Sequence, residues 1–327
     1  MRTRPSRRHV LRVAAAAAAL PALPRLGRAA AYPTRPVRII CGFAAGGAPD
    51  ILARLFAQWL AQRLGQSFIV EDRTGAGGNV ATETVVQAAP DGHTLLLTSM
   101  GNAVNATLYE KLNYDFLHDI APVAGISREP LGMEVQPSFP GGTVPEFIAY
   151  AKANPGKINY GSAGIGSSLH MAGELFNLMA GVELVHVAYR GSPPALNDLL
   201  AGQIQLMFCP LPPSLGYVKS GRLRALAVTS AARSTVLPDV PVIGDFVPGY
   251  EASAWYGIGA PAGTPADIVD KLNAEINAGL ADPKLKARLI DLGSVPFPTS
   301  RAEFGQHLAA ETEKWAKVVR AAKIKPQ

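Results

Sequence analysis

Apolar and polar residues alternate along the chain with two periodicities. Short apolar runs followed by glycine or serine, such as Val37–Phe43 and Thr94–Thr98, predict buried strands. Residues 51–64 carry apolar side chains at spacings of three and four, which predicts one buried face of a helix. With a strand at 68–70 and a helix at 80–88, the order is βαβαβ, which is typical of a parallel sheet covered by helices.

The same alternation continues downstream. The predicted strands are 131–135, 158–160, 184–187, 204–208, 223–229 and 255–260, and the predicted helices are 144–153, 168–179, 195–200, 266–280, 284–292 and 302–322. A chain of 327 residues is long for one domain, so two α/β units are expected.

The excess positive charge of the chain is concentrated in the first 28 residues. Seven arginines and no acid lie there, so the net charge of +6 becomes −1 without them. The rest of the chain therefore predicts no nucleic-acid partner. An Ala-rich apolar run over 13–23 follows, and Ala29 and Ala31 form an A-x-A site before Tyr32. This order predicts that residues 1–31 are an export signal cleaved near Ala31/Tyr32.

Residues 1–31 allow two alternative interpretations, and the cysteine count limits how the chain is stabilised. Residues 6–12 resemble a twin-arginine motif, which leaves two export routes open, and an Ala-rich start of a cytosolic protein is the other alternative. Only Cys41 and Cys209 occur in the chain, which excludes a disulfide-built scaffold. An oxidising compartment would permit one bridge between them.

Loops rich in glycine and hydroxyl groups follow the predicted strands. In an open parallel sheet, ligands bind beyond the carboxyl ends of the strands. Glycine lets backbone N–H groups approach a ligand, and helix N-termini favour anions. Tight turns would explain any one loop, but five together favour an anion site between two lobes. The candidate residues are Phe43, Ala45, Gly46, Gly47, Asp50, Gly77, Gly78, Asn79, Ser99, Asn102, Ser162, Gly164, Gly166, Ser167, Ser168, Tyr189, Arg190, Gly191 and Cys209.

Motifs for nucleotide binding and nucleophilic catalysis are incomplete. Residues 42–47 have the spacing of a P-loop, but Ala48-Pro49 replaces the required Lys-Ser/Thr. Val80 replaces the third glycine of a dinucleotide fingerprint, and Tyr160 replaces the first glycine of a nucleophile elbow. We therefore expect no cofactor and no catalytic residue.

The histidines are not expected to cluster. His118 and His186 have no partner at metal-ligand spacing. His170 and Glu174 lie one helical turn apart, and we interpret them as helix packing because no second pair completes a metal site. Asp50, near a helix start, is interpreted as a cap unless it faces the cleft. No metal site is predicted.

Eight segments, in order, resemble those of one family. They are YPTRPVRII at 32–40, GG with DILAR at 46–54, VEDR with GAGGN at 70–79, PDGHTL at 90–95, YGS with His170 at 160–170, YRG at 189–191, GRLRALAVT at 221–229 and APAGTP at 260–265. This series is similar to the Bug family, the solute receptors of tripartite tricarboxylate transporters. His93 stands where tyrosine is usual, and Cys209 stands where a polar or small residue is expected.

The resemblance implies a type II periplasmic binding protein, with two α/β lobes of parallel or mixed sheets joined by a two-crossing hinge. We expect domain 1 to comprise residues 32–128 and 253–327, and domain 2 to comprise 129–252. The implied protein is a periplasmic monomer whose lobes close on a small carboxylate and whose partners are membrane transporter subunits. The resemblance also adds His170 to the candidate ligand-binding residues.

The residues suggest a ligand class but leave other functions open. Hydroxyl groups with Arg190 suit a mono- or dicarboxylate better than phosphate, which draws more fixed positive charge. Phe43 and Tyr189 either flank a flat or apolar ligand, such as an aromatic acid, or only pack as walls. A sensor subunit that presents ligand to a membrane kinase is one alternative. A periplasmic hydrolase is another, using Ser162 or Ser167 with a base from outside the local motif.

Overall fold

The computed structural model describes residues 32–325, so the predicted export signal lies outside the described residues. The strands are β1 (Val37–Cys41), β2 (Phe68–Asp72), β3 (Thr94–Ser99), β4 (Ile120–Glu129), β5 (Leu131–Val135), β6 (Asn159–Ser162), β7 (Val185–Ala188), β8 (Leu206–Pro210), β9 (Arg224–Val228), β10 (Ala254–Pro261) and β11 (Val295–Pro296). The helices are α1 (Ala48–Leu64), α2 (Asn79–Val86), α3 (Met100–Leu108), α4 (Phe116–Asp119), α5 (Val144–Ala153), α6 (Ser168–Ala180), α7 (Ser192–Leu200), α8 (Leu211–Lys219), α9 (Ala266–Ala281), α10 (Pro283–Asp291) and α11 (Arg301–Ala321).

The strands form two mixed sheets. The six-stranded sheet has the order β11-β4-β10-β3-β1-β2, and the five-stranded sheet has the order β7-β6-β8-β5-β9. Strand β1 pairs in parallel with β2 and β3, as predicted, but β10 runs antiparallel beside β3. We call the first sheet with its helices lobe 1 and the second lobe 2. The predicted class, two α/β lobes with mixed sheets, is confirmed.

The chain passes between the sheets twice. Strands β4 and β5 are separated by Pro130 alone, and the return passage runs from Glu251 into β10. Glu129 pairs with Ala254 in lobe 1, while Leu131 pairs with Pro210 in lobe 2. We call these two passages, residues 129–131 and 251–254, the hinge. Both join the sheets at the edges where β1, β3, β6 and β8 end.

Each lobe buries its own apolar face. Helix α1 begins with Pro49 in its first turn and ends before Gly65, whose φ of 72° is a left-handed cap. On its apolar face Leu52, Phe56 and Leu60 are fully buried. In lobe 2, Phe147 and Phe176 pack edge to face at 6.0 Å, both without exposure. None of the helices among residues 32–325 has the length and apolar character needed to cross a bilayer.

Periodicity does not predict β4, β11, α3 and α4 of lobe 1 or α8 of lobe 2. Strand β4 contains Pro122 and Gly125, which obscure its strand character. A Cβ at Gly125 would lie 2.7 Å from the carbonyl oxygen of Phe297, so packing against a distant loop requires this glycine. Helix α3 contains Gly101 and Asn105, both weak helix formers.

Candidate ligand-binding site

Several helices begin where the two sheets face each other. A small inner pocket of about 20 Å³ is lined there by Pro49 of α1, Ser99 before α3, Ser168 of α6 and Ser192 of α7. The first N–H groups of a helix lack intrahelical partners, and its dipole is positive at that end. With Ser167, and with Pro210 before α8, five helix N-termini and four serine hydroxyls converge there, an arrangement that favours an anionic group.

An outer cavity of about 200 Å³ adjoins the inner pocket. Phe43 and Ala163 line both, so the two spaces are neighbours. Lobe 1 contributes residues 74–78 and Tyr109, and lobe 2 contributes the loops that follow β6 and β7. Arg190 is the one charged side chain among the described residues that line it. The outer cavity therefore offers an apolar enclosure with a single cationic group.

Glycines allow the lobes to touch around this cavity. A Cβ at Gly77, where φ is +62°, would lie 2.7 Å from the carbonyl oxygen of Ile165 in the other lobe. A Cβ at Gly191 would lie equally close, 2.7 Å, to the Cβ of Ala44 across the gap. No larger residue could occupy these positions without separating the lobes. The structure is therefore a closed form.

Hydrogen bonds fix the lobe 2 loop that forms one wall of the outer cavity. The Ser167 hydroxyl donates to the carbonyl oxygen of Gly164 at 2.6 Å. The Gly164 N–H donates to the Ser162 hydroxyl at 3.1 Å. Ser162 is fully buried and lies 2.6 Å from Nε2 of His186. Ser162 therefore supports the loop from beneath and lines neither cavity.

Two histidines stack under the same loop. The rings of His170 and His186 lie 3.9 Å apart with an interplanar angle of 27°. Nδ1 of His170 accepts a hydrogen bond from the Gly166 N–H at 3.2 Å, so it is unprotonated. Burial, reinforced by the His186 charge, lowers the pKa of His170 to about 3, and burial lowers the pKa of His186 to about 4. The expectation that the histidines do not cluster is wrong, because β7 brings His186 onto helix α6.

Tyr189 and Asp50 also have assigned partners. The Tyr189 hydroxyl donates to Oδ2 of Asp198 at 2.7 Å, so this side chain forms a wall of the outer cavity and offers no free hydroxyl. Oδ2 of Asp50 accepts from the Gly46 N–H at 2.8 Å, and its Oδ1 pairs with Arg54. Asp50 holds its own loop, as a cap would.

The structure separates the predicted site residues into two groups. Ten line the inner pocket or the outer cavity: Phe43, Gly77, Gly78, Ser99, Gly164, Ser167, Ser168, Tyr189, Arg190 and Gly191. Ten line neither: Ala45, Gly46, Gly47, Asp50, Asn79, Asn102, Ser162, Gly166, His170 and Cys209. Members of the second group support the first; for example, Oδ1 of Asn102 accepts a hydrogen bond from the Ser99 N–H at 2.8 Å.

Sequence reasoning missed several lining residues. Tyr109 follows the unpredicted helix α3, and Tyr256 lies on β10, far along the chain from the other lining residues. The antiparallel insertion of β10 beside β3 brings Tyr256 to the inner pocket, and only the sheet order reveals it. Both cysteines are free and buried, so the structure contains no bridge between Cys41 and Cys209. No group of three His, Cys, Asp or Glu side chains that could hold a metal ion occurs among residues 32–325.

Two lobes, a two-passage hinge and a pocket enclosed between them are the architecture of a type II solute-binding protein. Comparison with known proteins identifies the particular family. Residues 52–324 match the tripartite tricarboxylate transporter family receptor, and the chain belongs to that family.

Solved structures agree with this assignment. Rpa4515 from R. palustris, determined with adipate, is 38% identical with a TM-score of 0.88, and the match covers 90% of this chain and all of that one. The periplasmic binding protein BugD is 35% identical with a TM-score of 0.85, over 90% of this chain and 100% of its own. MatC from Rhodopseudomonas palustris, with bound malate, is 33% identical with a TM-score of 0.83, over 88% and 100%.

Proposed function

We propose that this protein captures a small dicarboxylate between its lobes, outside the cytoplasm, and delivers it to the membrane subunits of a tripartite transporter. The observation that carries the proposal is the inner pocket, where five helix N-termini and four serine hydroxyls converge. One carboxylate oxygen of the ligand occupies this pocket, whose volume of about 20 Å³ suits a water-sized group. It accepts hydrogen bonds from backbone N–H groups and hydroxyls, which are strong when the acceptor is charged.

The outer cavity accounts for the rest of the ligand. Phe43, Ile165 and Tyr189 form apolar walls that suit a short carbon chain, and Arg190 supplies a cation for a second carboxylate. The related structures with adipate and malate contain ligands of this type. A phosphate is a poorer candidate, because proteins usually bind it with more than one fixed positive charge.

The predicted export signal and the family match support the proposed location and the proposed membrane partners. An export signal over residues 1–31 would place the mature chain in the periplasm, as with the related BugD. The family is named for its transporter, which supports membrane subunits as partners. Capture and release need one copy, because residues of a single chain line both cavities.

A hydrolase in the same cleft is less well supported. His186 is a base beside Ser162 that sequence reasoning did not find, but Ser162 is fully buried beneath the loop. The other candidate nucleophile, Ser167, donates its hydroxyl proton to a backbone carbonyl. A nucleophile must reach the substrate within hydrogen-bond distance, and neither hydroxyl is free to do so.

A thermal-shift screen with calorimetry tests the proposal. Adipate and malate should stabilise the protein, by about 2.7 kcal/mol at a hundred times the dissociation constant. Arg190→Gln should weaken dicarboxylate binding about ten- to a hundred-fold, the effect of losing a hydrogen bond to a charged group. Arg73→Gln is the matched control, since Arg73 bonds Glu71 outside both cavities. Equal binding of the neutral dimethyl esters would refute the anion site.

A further inference from the structure

A second cavity, of about 380 Å³, lies on the opposite side of the hinge from the ligand-binding site. In lobe 1 the outer cavity adjoins the loops after β1 and β2, while the hinge strands β10 and β4 lie beyond β3. The second cavity adjoins β4, β11 and the loop after β9, which lie on the far side of the hinge from the cleft in the strand order of each sheet. Its walls include both hinge passages and helix α11, so both lobes form it. We call it the hinge cavity.

The carboxylates in the wall of the hinge cavity already have partners. Oε2 of Glu251, from the second passage, lies 3.2 Å from Nζ of Lys314 on α11. Oε2 of Glu311 accepts hydrogen bonds from the indole N–H groups of Trp255 at 2.9 Å and Trp315 at 2.8 Å. These acids are therefore held by groups of the protein and are not free to bind a cation.

Two nitrogen-bearing groups of the same wall have no partner. The Arg128 guanidinium lies 4.2 Å from the centre of the Phe297 ring and makes no ion pair or hydrogen bond with any residue of 32–325. Nε2 of His307 is buried and likewise lacks a hydrogen-bond partner within that range. Burial and the positive charges of Arg128 and Lys314 lower the pKa of His307, whereas the negative charge of Glu311 raises it by a smaller amount. Among residues 32–325 the cavity thus has one unpaired cation, the Arg128 guanidinium, one unpartnered imidazole nitrogen and no unpartnered carboxylate group.

We propose that the hinge cavity is a second binding site, for a small oxyanion held by Arg128. A guanidinium fixed against an aromatic face offers parallel N–H groups that match a carboxylate or a phosphate group. The hinge lies between this cavity and the cleft, so a rotation that opens the cleft narrows the hinge cavity. An oxyanion bound there consequently favours the closed form. By linkage, closure of the cleft on its ligand strengthens oxyanion binding at the hinge.

Titration of the ligand-free protein with inorganic phosphate and with acetate, at constant ionic strength, tests the site. Trp255 lines the hinge cavity, so its fluorescence reports occupancy. Phosphate or acetate should produce a saturable change that Arg128→Gln weakens by about tenfold or more. Arg222→Gln is the matched control, because Arg222 also stacks on a ring, that of Tyr217 at 4.9 Å, but lies outside the cavity. The anion with the stronger effect identifies the ligand class.

Two further measurements separate the hinge cavity from the cleft. Binding that is retained in Arg190→Gln and weakened in Arg128→Gln assigns the anion to the hinge, whereas the reverse pattern would overturn the proposal. Small-angle scattering should show a smaller radius of gyration when the anion is added to the ligand-free protein. An unchanged or larger radius would refute the coupling to closure. Equal urea midpoints for Arg128→Gln and the wild type would show that the variant folds.

Discussion

The stacked histidines predict a specific sensitivity to acid, which His170→Asn should remove. In the folded protein the pKa of His170 is about 3, whereas an unfolded histidine titrates near 6.5. The unfolded chain therefore binds a proton that the folded chain excludes. The stability that depends on neutral His170 is fully present above about pH 6.5 and is lost as the pH falls toward 3.

The magnitude follows from the pKa difference. Each pH unit below the unfolded pKa costs about 1.4 kcal/mol, so lowering the pH from 7 to 5 should cost about 2 kcal/mol through His170. This side chain is well buried, at 4% exposure, so solvent screens the effect little. Asparagine does not titrate, and its Oδ1 can replace Nδ1 as the acceptor for the Gly166 N–H.

Urea unfolding of the wild type and His170→Asn at several pH values provides the measurement. Burial raises the pKa of Glu129 to about 7 and of Glu134 to about 8, so these groups stabilise both proteins as the pH falls. Subtracting the unfolding free energy of the variant from that of the wild type removes this opposing effect. Between pH 7 and pH 5, the free energy of unfolding of the wild type should fall by about 2 kcal/mol relative to that of His170→Asn. His118→Gln is the control, because exposed His118 has a raised pKa and should give the opposite sign. A difference that does not change with pH would refute the reasoning.

Further predictions concern closure, layout and export. A Cβ at Gly166, where φ is +80°, would lie 2.6 Å from Oδ1 of Asn105 in the other lobe, so Gly166→Ala should weaken carboxylate binding in calorimetry. Gly156→Ala is the control, because Gly156 has a similar φ of +68° but a Cβ there would have no neighbour within 4 Å. Equal affinities of the two variants would contradict the clash. Deletion from Pro265 onward removes α9 to α11 and should unfold lobe 1, so a stable, ligand-binding truncation in circular dichroism would contradict the domain layout. N-terminal sequencing of exported protein should begin within one or two residues of Tyr32, and material beginning at Met1 would contradict cleavage.

The sequence predicted the parts of the fold that depend on local periodicity. The strands and helices around 37–64 and 131–188 lie close to their predicted positions, because each buries one regular face. Strand β4 has no such face: it lies between β10 and β11, and Gly125 is required by a loop that lies far away in the chain. Its character depends on long-range packing, which periodicity does not contain.

The candidate site shows the same division. Loops after parallel strands were predictable because strand ends meet at one edge, and ten of their residues line the cavities. Residue type alone could not separate ligand-facing hydroxyls from supporting ones. Ser162 and Ser168 stand in one loop region, yet Ser162 bonds the loop and Ser168 lines the inner pocket. The stacking of His170 on His186 depends on the packing of β7 against α6, which spacing does not encode.

The position of β10 affects how the chain can fold as it is made. Strands β3 and β4 are not paired with each other, because β10, which begins about 125 residues after the end of β4, lies between them. Synthesis proceeds from the N-terminus, so the first 130 residues leave the ribosome with the central position of their sheet unoccupied. Lobe 2 is continuous in the chain and can fold as soon as it has emerged. Lobe 1, and with it the ability to bind a solute, is completed only by the last quarter of the polypeptide, so the growing chain cannot trap solute before its synthesis is nearly finished.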